Sequence, residues 1–370
     1  MGAVRRTEIQ WLRALAASEV VVCHSDLLTK HFADYSLMDS LWYRPLEGVG
    51  VEIFFMVSGY VICMRAPTHA TGRAFLLSRI RRLYPMYWIF TSLVVLTYLA
   101  NPAWRLNNFD PSPLSLLQSY LILPQWGFPI LGVGWTLEHE MMFYGFVALM
   151  MVFWGMNGPA RNAVAWLLAT MGFLGCLHGP EPGPSLWAFH IFSPYLFAFG
   201  FGWLMRCVEE MKPAARLWNV ALFVAIGGAA YLVGTDYGDR LVLRLAFAAL
   251  VFTGFIACRW AFEADNMLNR VGWKFGDASY SIYLCHWFVL SAIGKMLGIL
   301  QPPAVATELV RVLGIALSIA IGFGIYAALE KPVDRWLRRG PQRGEAEPRV
   351  LGQRSAFAWV SNSISWLSRG

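Results

Sequence analysis

The chain has 370 residues, of which 57% are hydrophobic, 15% aromatic and only 14% charged. Soluble domains carry about 25% charged residues, and the mean hydropathy of +0.48 also points away from them. This composition excludes a disordered chain, a coiled coil and an ordinary soluble enzyme. So much apolar surface is typical of a chain that crosses a lipid bilayer several times.

The formal net charge is +7, but the positive residues are scattered between long apolar segments. A nucleic-acid-binding protein gathers such residues on one soluble surface, so we expect no nucleic-acid partner. The six cysteines lie within or at the ends of apolar segments. Their spacing matches neither a zinc site nor a secreted disulfide framework, which predicts free thiols and no bound metal.

Ten segments are apolar and long enough to cross a bilayer, since each crossing takes about 20 residues of helix. They lie near residues 10–28, 46–64, 83–100, 134–155, 162–178, 187–205, 217–234, 241–258, 278–298 and 308–329. The sequence therefore predicts an all-α, polytopic membrane helix bundle with about ten transmembrane helices.

The lysines and arginines predict the orientation of this bundle. If the N-terminus is cytoplasmic, 22 of the 30 fall in cytoplasmic segments and only four in outer loops. Such a bias is typical of the positive-inside rule. An even number of spans then places both termini in the cytoplasm.

We divide the chain into a transmembrane domain, residues 1–340, and a cytoplasmic tail, residues 341–370. In the tail, apolar residues recur at helical spacing between Phe357 and Leu367. This pattern predicts a short amphipathic helix on the membrane surface, with an unstructured tail as the alternative.

The first predicted span contains three ionisable residues, which are costly inside a bilayer and mark candidate functional sites. Arg13 and His24 are 11 residues apart, about three helical turns, so they share one helix face. Glu19 lies off that face, and we expect it to have a structural partner. For His24, a water-exposed position at a helix end remains the alternative.

The fourth predicted span opens with the acidic residues Glu138 and Glu140 on either side of His139. A histidine followed by a glutamate is typical of zinc protease helices, but that motif needs a second histidine where Phe143 stands. We therefore exclude metal-dependent hydrolysis and retain an acidic pair at the outer end of a membrane helix.

Two other segments carry ionisable residues, and each allows two interpretations of their role. Arg79 and Arg82 precede the third span, where arginines serve either as cytoplasmic anchors or as ligands for an anion. His286 lies near the middle of the ninth span, where it is either a functional group or a buried histidine with a structural hydrogen bond.

Taken in order, these segments resemble the bacterial membrane acyltransferase-3 family. The matching stretches cover about residues 8–336 and consist of Gln10–Ala16 with His24, Gly48–Tyr60, Arg79–Pro85, Trp135–Tyr144, Tyr280–His286 and Glu330–Pro332. The sequences Val-Glu-Ile-Phe-Phe and Gly-Trp-Thr-Leu look most like those of exopolysaccharide O-acetyltransferases within that family.

The resemblance implies a multi-pass enzyme of the bacterial inner membrane that moves an acyl group, usually acetyl, from acyl-CoA to a sugar hydroxyl. The implied acceptor is a surface polysaccharide or its lipid-linked precursor. The family's essential histidine and arginine fall on His24 and Arg13, and its acidic position falls on Glu140. The residues expected to bind the donor are Arg79, Arg82, Tyr283 and His286.

This assignment agrees with the chemistry of the residues. Paired arginines bind phosphates well, and coenzyme A carries several. A sugar hydroxyl is a weak nucleophile, so we expect His24 to act as a general base, which contributes about 10² to 10⁴ in rate. Glu140 either orients that imidazole or positions the sugar.

Two other classes of protein remain open. A carrier or flippase for a lipid-linked sugar would also place histidines within the membrane, but the sequence shows no pair of related halves of the kind found in transporters. A membrane scaffold without catalytic activity is disfavoured by the number of ionisable residues in the predicted spans.

Overall fold

A computed structural model of the chain describes residues 6–30, 48–102, 109–178, 190–233 and 236–339. Within these ranges every regular element is helical, which confirms the all-α prediction. The amphipathic helix predicted between residues 341 and 370 lies outside the described residues.

The described residues form a series of α-helices. In chain order they are α1 (Thr7–Lys30), α2 (Val49–Arg65), α3 (Gly72–Ala100), α4 (Pro113–Leu121), α5 (Trp135–Phe153), α6 (Gly158–His178), α7 (Leu196–Val208), α8 (Pro213–Val233), α9 (Asp236–Ala257), α10 (Met267–Leu300), α11 (Ala304–Ile325) and α12 (Lys331–Arg339). A π-helical turn, Tyr326–Glu330, joins α11 to α12.

Each of the predicted spans overlaps one of these helices. Among the described residues, four helical segments have the length and hydropathy needed to cross a membrane: Val49–Thr68, Gly72–Ala100, Met267–Leu300 and Val305–Leu337. The protein is therefore a membrane protein by the character of its helices. The count of about ten spans and the cytoplasmic side of both termini stay predictions.

Glycines allow the central helices to approach closely. A Cβ atom on Gly202 of α7 would lie 1.8 Å from the carbonyl oxygen of Met56 in α2. On α10, a Cβ atom on Gly276 would lie 2.4 Å from the carbonyl oxygen of Gln10 in α1. Close backbone approach through small residues is a common mode of helix packing in membranes. Here it holds α1 against α10, the helices that carry His24 and His286.

Glu19 of α1 caps the start of α2. Its Oε1 accepts a hydrogen bond from the Gly48 amide at 2.9 Å, and its Oε2 accepts one from the Gly50 amide at 2.7 Å. Gly48 has a φ of 90° and gives the helix no side-chain cap of its own. Glu19 therefore satisfies amides that would otherwise be orphaned at a helix N-terminus, which is the structural role expected for it.

Candidate active site

A cavity of about 510 Å³, cavity 1, is lined by residues of α1, α2, α3, α5 and α10. Among the described residues, its lining carries one carboxylate, that of Glu140, and five guanidinium groups, those of Arg6, Arg13, Arg65, Arg79 and Arg82. This excess of positive charge favours an anionic ligand. The volume is within the range of about 300 to 1,000 Å³ that is usual for small-molecule sites.

The arginines of cavity 1 differ in how they are held. Arg82 Nη1 lies 2.6 Å from Glu330 Oε1, and the Ser281 hydroxyl donates to Glu330 Oε2 at 2.5 Å. Arg79 instead donates to the Ser78 hydroxyl at 3.2 Å. Arg13 donates to Gln10 Oε1 at 3.3 Å. In the part of the chain that the structure describes, neither Arg13 nor Arg79 has a carboxylate at ion-pair distance, so both can neutralise a bound anion.

Glu140 belongs to cavity 1 and is held by two hydroxyl groups. Ser58 donates to Glu140 Oε1 at 2.8 Å, and the Tyr144 hydroxyl donates to the same oxygen. None of these hydrogen bonds involves His24. Of the two roles that the sequence left open for Glu140, orientation of the imidazole has no support from this placement.

His24 and His286 form a hydrogen-bonded pair between α1 and α10. His24 Nδ1 lies 2.8 Å from His286 Nε2, and the ring planes differ by 9°. The indole of Trp287 meets the His24 ring edge-on, with ring centroids 5.1 Å apart. His24 is thus fixed in position and is not a loosely solvated residue at a helix end.

The surroundings of the pair determine which nitrogen of each ring carries the proton. His286 Nδ1 lies 3.2 Å from the carbonyl oxygen of Ile282. Because a carbonyl only accepts, His286 Nδ1 donates and its Nε2 must be the acceptor. His24 Nδ1 then donates to His286 Nε2, which leaves the lone pair on His24 Nε2. A neutral His24 in this tautomer can accept a proton there.

A second cavity of about 120 Å³, cavity 2, contains His24. Its polar lining includes Glu52 and Arg244, whose Oε1 and Nε atoms lie 3.1 Å apart. Its aromatic lining includes Trp135 and Tyr195, with ring centroids 5.2 Å apart. Cavity 2 therefore combines a basic nitrogen, a buried ion pair and two aromatic rings.

The two cavities share a wall made by Val51 and Tyr283. The Tyr283 hydroxyl donates to the carbonyl oxygen of Val133 at 2.7 Å and lies 2.7 Å from Thr136 Oγ1. These contacts fix the ring between the arginines on one side and His24 on the other. A ligand bound in cavity 1 must pass this wall to reach His24.

The residues predicted from the sequence thus fall into two neighbouring places. Cavity 1 contains Arg13, Arg79, Arg82, Glu140 and Tyr283. His24 lies in cavity 2, and His286 contacts His24 and lines neither cavity.

Several residues that line the two cavities have no role predicted from the sequence, namely Arg6, Ser58, Arg65, Tyr144, Glu52 and Arg244. A signal was present for Glu52 and Arg244, because ionisable residues within predicted spans mark functional sites.

A helical membrane protein with an arginine-lined cavity beside a hydrogen-bonded histidine is organised to bind an anionic ligand and accept a proton close to it. Comparison with protein families identifies the class: residues 6–327 match the family model described as acyltransferase domain. The chain therefore belongs to the acyltransferase-3 family, as the sequence motifs predicted.

Two relatives support this membership. The exopolysaccharide production protein ExoZ of Rhizobium meliloti (strain 1021) is 29% identical over 319 residues, covering 80% of this chain and 92% of that protein. The acyltransferase MdmB of Streptomyces mycarofaciens is 23% identical over 381 residues, covering 93% of this chain and 96% of that protein. No solved structure matches the chain.

Proposed function

We propose that this protein is an O-acyltransferase of the bacterial inner membrane that moves acetyl, or another short acyl group, from acyl-CoA to a sugar hydroxyl. The acceptor is a surface polysaccharide or its lipid-linked precursor. The observation that carries this proposal is the shared wall between the arginine cavity and the pocket of His24. The name of the Rhizobium relative, an exopolysaccharide production protein, supports the choice of a carbohydrate acceptor.

The positive charge of cavity 1 suits acyl-CoA as a substrate, because acyl-CoA carries negatively charged phosphates. Its phosphates would be held by Arg13 and Arg79, which have no carboxylate at ion-pair distance among the described residues, and by Arg82 in the geometry that Glu330 imposes. Charge-assisted hydrogen bonds of this kind are about twice as strong as neutral ones. The positive-inside rule predicts that these arginines lie on the cytoplasmic side, where acyl-CoA is found.

His24 is the general base in this scheme. Its Nε2 takes the proton of the acceptor hydroxyl while the hydroxyl oxygen forms a bond to the acyl carbon. The bond from that carbon to the coenzyme A sulfur breaks, and the leaving thiolate receives the proton from His24. His286 accepts from His24 Nδ1 throughout, which fixes the tautomer and stabilises the imidazolium.

Arg13, Glu140 and Tyr283 serve the donor side. All three line cavity 1, and Tyr283 also borders the pocket of His24. We assign Arg13 to donor anions. Because Glu140 lines cavity 1 and not the pocket of His24, we assign it, with Ser58 and Tyr144, to polar groups of the donor and not to the sugar-positioning role predicted from the sequence. Tyr283 stands where the acyl group passes from one cavity to the other.

A transfer experiment in proteoliposomes tests this function. The purified protein is reconstituted with lipid-linked glycans extracted from the bacterium that makes this protein. Labelled acetyl-CoA is then supplied. Label that appears on the glycan supports an acyltransferase. Glycan that crosses the bilayer without acquiring label would instead show a carrier.

A further inference from the structure

Glu52 is a buried carboxylate that faces cavity 2 beside His24. Its side chain is 1% exposed, and Arg244 Nε lies 3.1 Å from its Oε1. Within the described part of the chain, Glu52 Oε2 accepts no hydrogen bond. A buried charged oxygen without a donor is unfavourable. A ligand that brings a hydrogen-bond donor into cavity 2 would therefore be held at this oxygen.

The lining of cavity 2 indicates the chemical class of that ligand. A carboxylate repels the phosphates of acyl-CoA, whereas it accepts readily from a hydroxyl group. Trp135 and Tyr195 add aromatic surface against which the apolar face of a ring can pack. Aromatic walls with a few convergent polar groups are usual in small-molecule sites. A polyhydroxylated ring fits this combination.

The volume of cavity 2 limits how much of such a ligand enters. The cavity measures about 120 Å³, and an engineered protein cavity of about 150 Å³ holds one benzene molecule. Cavity 2 thus has room for one edge of a single sugar ring, with two neighbouring hydroxyl groups. The rest of an oligosaccharide must stay outside it.

We infer that cavity 2 binds the acceptor sugar through a pair of adjacent hydroxyl groups. The hydroxyl to be acylated donates to His24 Nε2, and its neighbour donates to Glu52 Oε2. Arg244 positions the Glu52 carboxylate, while Trp135 and Tyr195 contact the ring. This inference rests on the proposed function and adds to it the residues that select the acceptor.

Deoxy sugars test the role of Glu52 directly. The protein in lipid nanodiscs is given labelled acetyl-CoA and the octyl β-glycosides of glucose, galactose and mannose. The best acceptor is then compared with its monodeoxy forms, for wild type and Glu52→Gln. In wild type, removal of the hydroxyl next to the acylated one should lower kcat/KM for the acceptor about tenfold or more.

Glu52→Gln should show a similar loss with the complete glycoside and little further loss with that deoxy form, because both changes remove the same hydrogen bond. The donor KM should stay unchanged. A residue with a purely structural role would not produce this dependence on one hydroxyl group of the acceptor.

Glu138→Gln is the matched control. Glu138 is also a buried carboxylate of a membrane helix, but it accepts from Gln125 Nε2 at 2.9 Å, lies 3.1 Å from His190 Nε2 and lines neither cavity. Its substitution should leave the acceptor KM unchanged.

Loss of the Glu52 charge removes one counter-charge from Arg244, and breaking a buried ion pair can strongly destabilise the fold. Trp135→Leu keeps that ion pair and therefore serves as a second variant. It should raise the acceptor KM without changing the donor KM.

If Glu52→Gln and the deoxy acceptor lower kcat/KM additively, the assignment of Glu52 to the acceptor is overturned. A change confined to the donor KM would also overturn it. If Glu52→Gln does not fold, the acceptor KM of Trp135→Leu decides: an increase supports the site and an unchanged value overturns it. A wild type that transfers label to the extracted lipid-linked glycans but to none of the glycosides also overturns it. A wild type that transfers label to neither kind of acceptor contradicts the proposed function instead.

Discussion

His24 and His286 are 262 residues apart in the chain, yet His24 Nδ1 and His286 Nε2 lie at a hydrogen-bonding distance of 2.8 Å. Because the Ile282 carbonyl occupies His286 Nδ1 at 3.2 Å, the direction of the hydrogen bond is fixed from His24 to His286. The pair therefore leaves the lone pair on His24 Nε2, and His24 lines cavity 2. His286 is a positioning residue for His24.

His286→Leu should lower kcat for acyl transfer while the donor KM stays unchanged. A hydrogen bond to a group that becomes charged contributes about 1.5 to 3 kcal/mol, which corresponds to a roughly 10- to 100-fold slower reaction. His286→Gln should recover part of this loss, since its side-chain oxygen can accept near the position of Nε2. Equal rates for the leucine and glutamine substitutions would argue against a hydrogen-bonding role.

Arg79→Ala with Arg82→Ala should weaken acyl-CoA binding. Each lost contact to a phosphate removes about 1.5 to 3 kcal/mol, so the donor KM should rise about tenfold or more. Arg81→Ala is the matched control, because Arg81 lies on the same helix but is exposed and does not line cavity 1. Titration with labelled acetyl-CoA measures the effect. If the folded double variant binds the donor with unchanged affinity, Arg79 and Arg82 do not bind the donor and serve only as cytoplasmic anchors of the helix.

Gly202→Ala should destabilise the contact between α2 and α7. The new Cβ atom would lie 1.8 Å from the Met56 carbonyl oxygen, and forcing extra atoms into a packed interior costs about 1 to 3 kcal/mol. Gly145→Ala provides the comparison, since apart from its chain neighbours and the backbone of its own helix no described atom lies within 4 Å of the Cβ position there. It should stabilise α5 by up to about 1 kcal/mol through helix propensity. Thermal unfolding in detergent should give a lower Tm for Gly202→Ala only.

Much of the fold could be predicted from the sequence because a bilayer imposes one strong pattern. Each predicted span overlaps a helix, and the bounds agree closely where charged or turn residues interrupt the apolar segments, as at Trp135–Phe153. The span predicted at 187–205 is less accurate at its start, because its helix begins only at Leu196. Boundaries were less accurate where a helix continues beyond the apolar segment. Thus α10 begins at Met267, well before the predicted start of the span at residue 278, because Asn266 caps a polar first part of the helix.

The candidate site could be predicted only in part. Motif resemblance selected Arg13, Arg79 and Glu140, which the structure brings together in cavity 1. No sequence pattern indicates that His24 and His286 meet, because their contact depends on how α1 packs against α10. Periodicity within one helix reports which face a residue occupies and not which residue of another helix faces it.

The partner of Glu52 was also beyond sequence reasoning. Arg244 lies on α9, and nothing in the local pattern of either helix links the two residues. Only their shared unfavourable position within apolar segments marked them. Tertiary packing brings Glu52 and Arg244 together as an ion pair beside His24.

The most direct test of His24 as the catalytic base is a paired measurement on wild type and His24→Ala in lipid nanodiscs. Labelled acetyl-CoA is used both to titrate binding and to follow transfer to a glycan acceptor. His24→Ala should bind the donor with wild-type affinity, since the arginines of cavity 1 remain, and should lose transfer by at least the factor of about 10² to 10⁴ that a general base contributes. Transfer at a near-wild-type rate by His24→Ala would contradict the assignment of this residue to the chemical step.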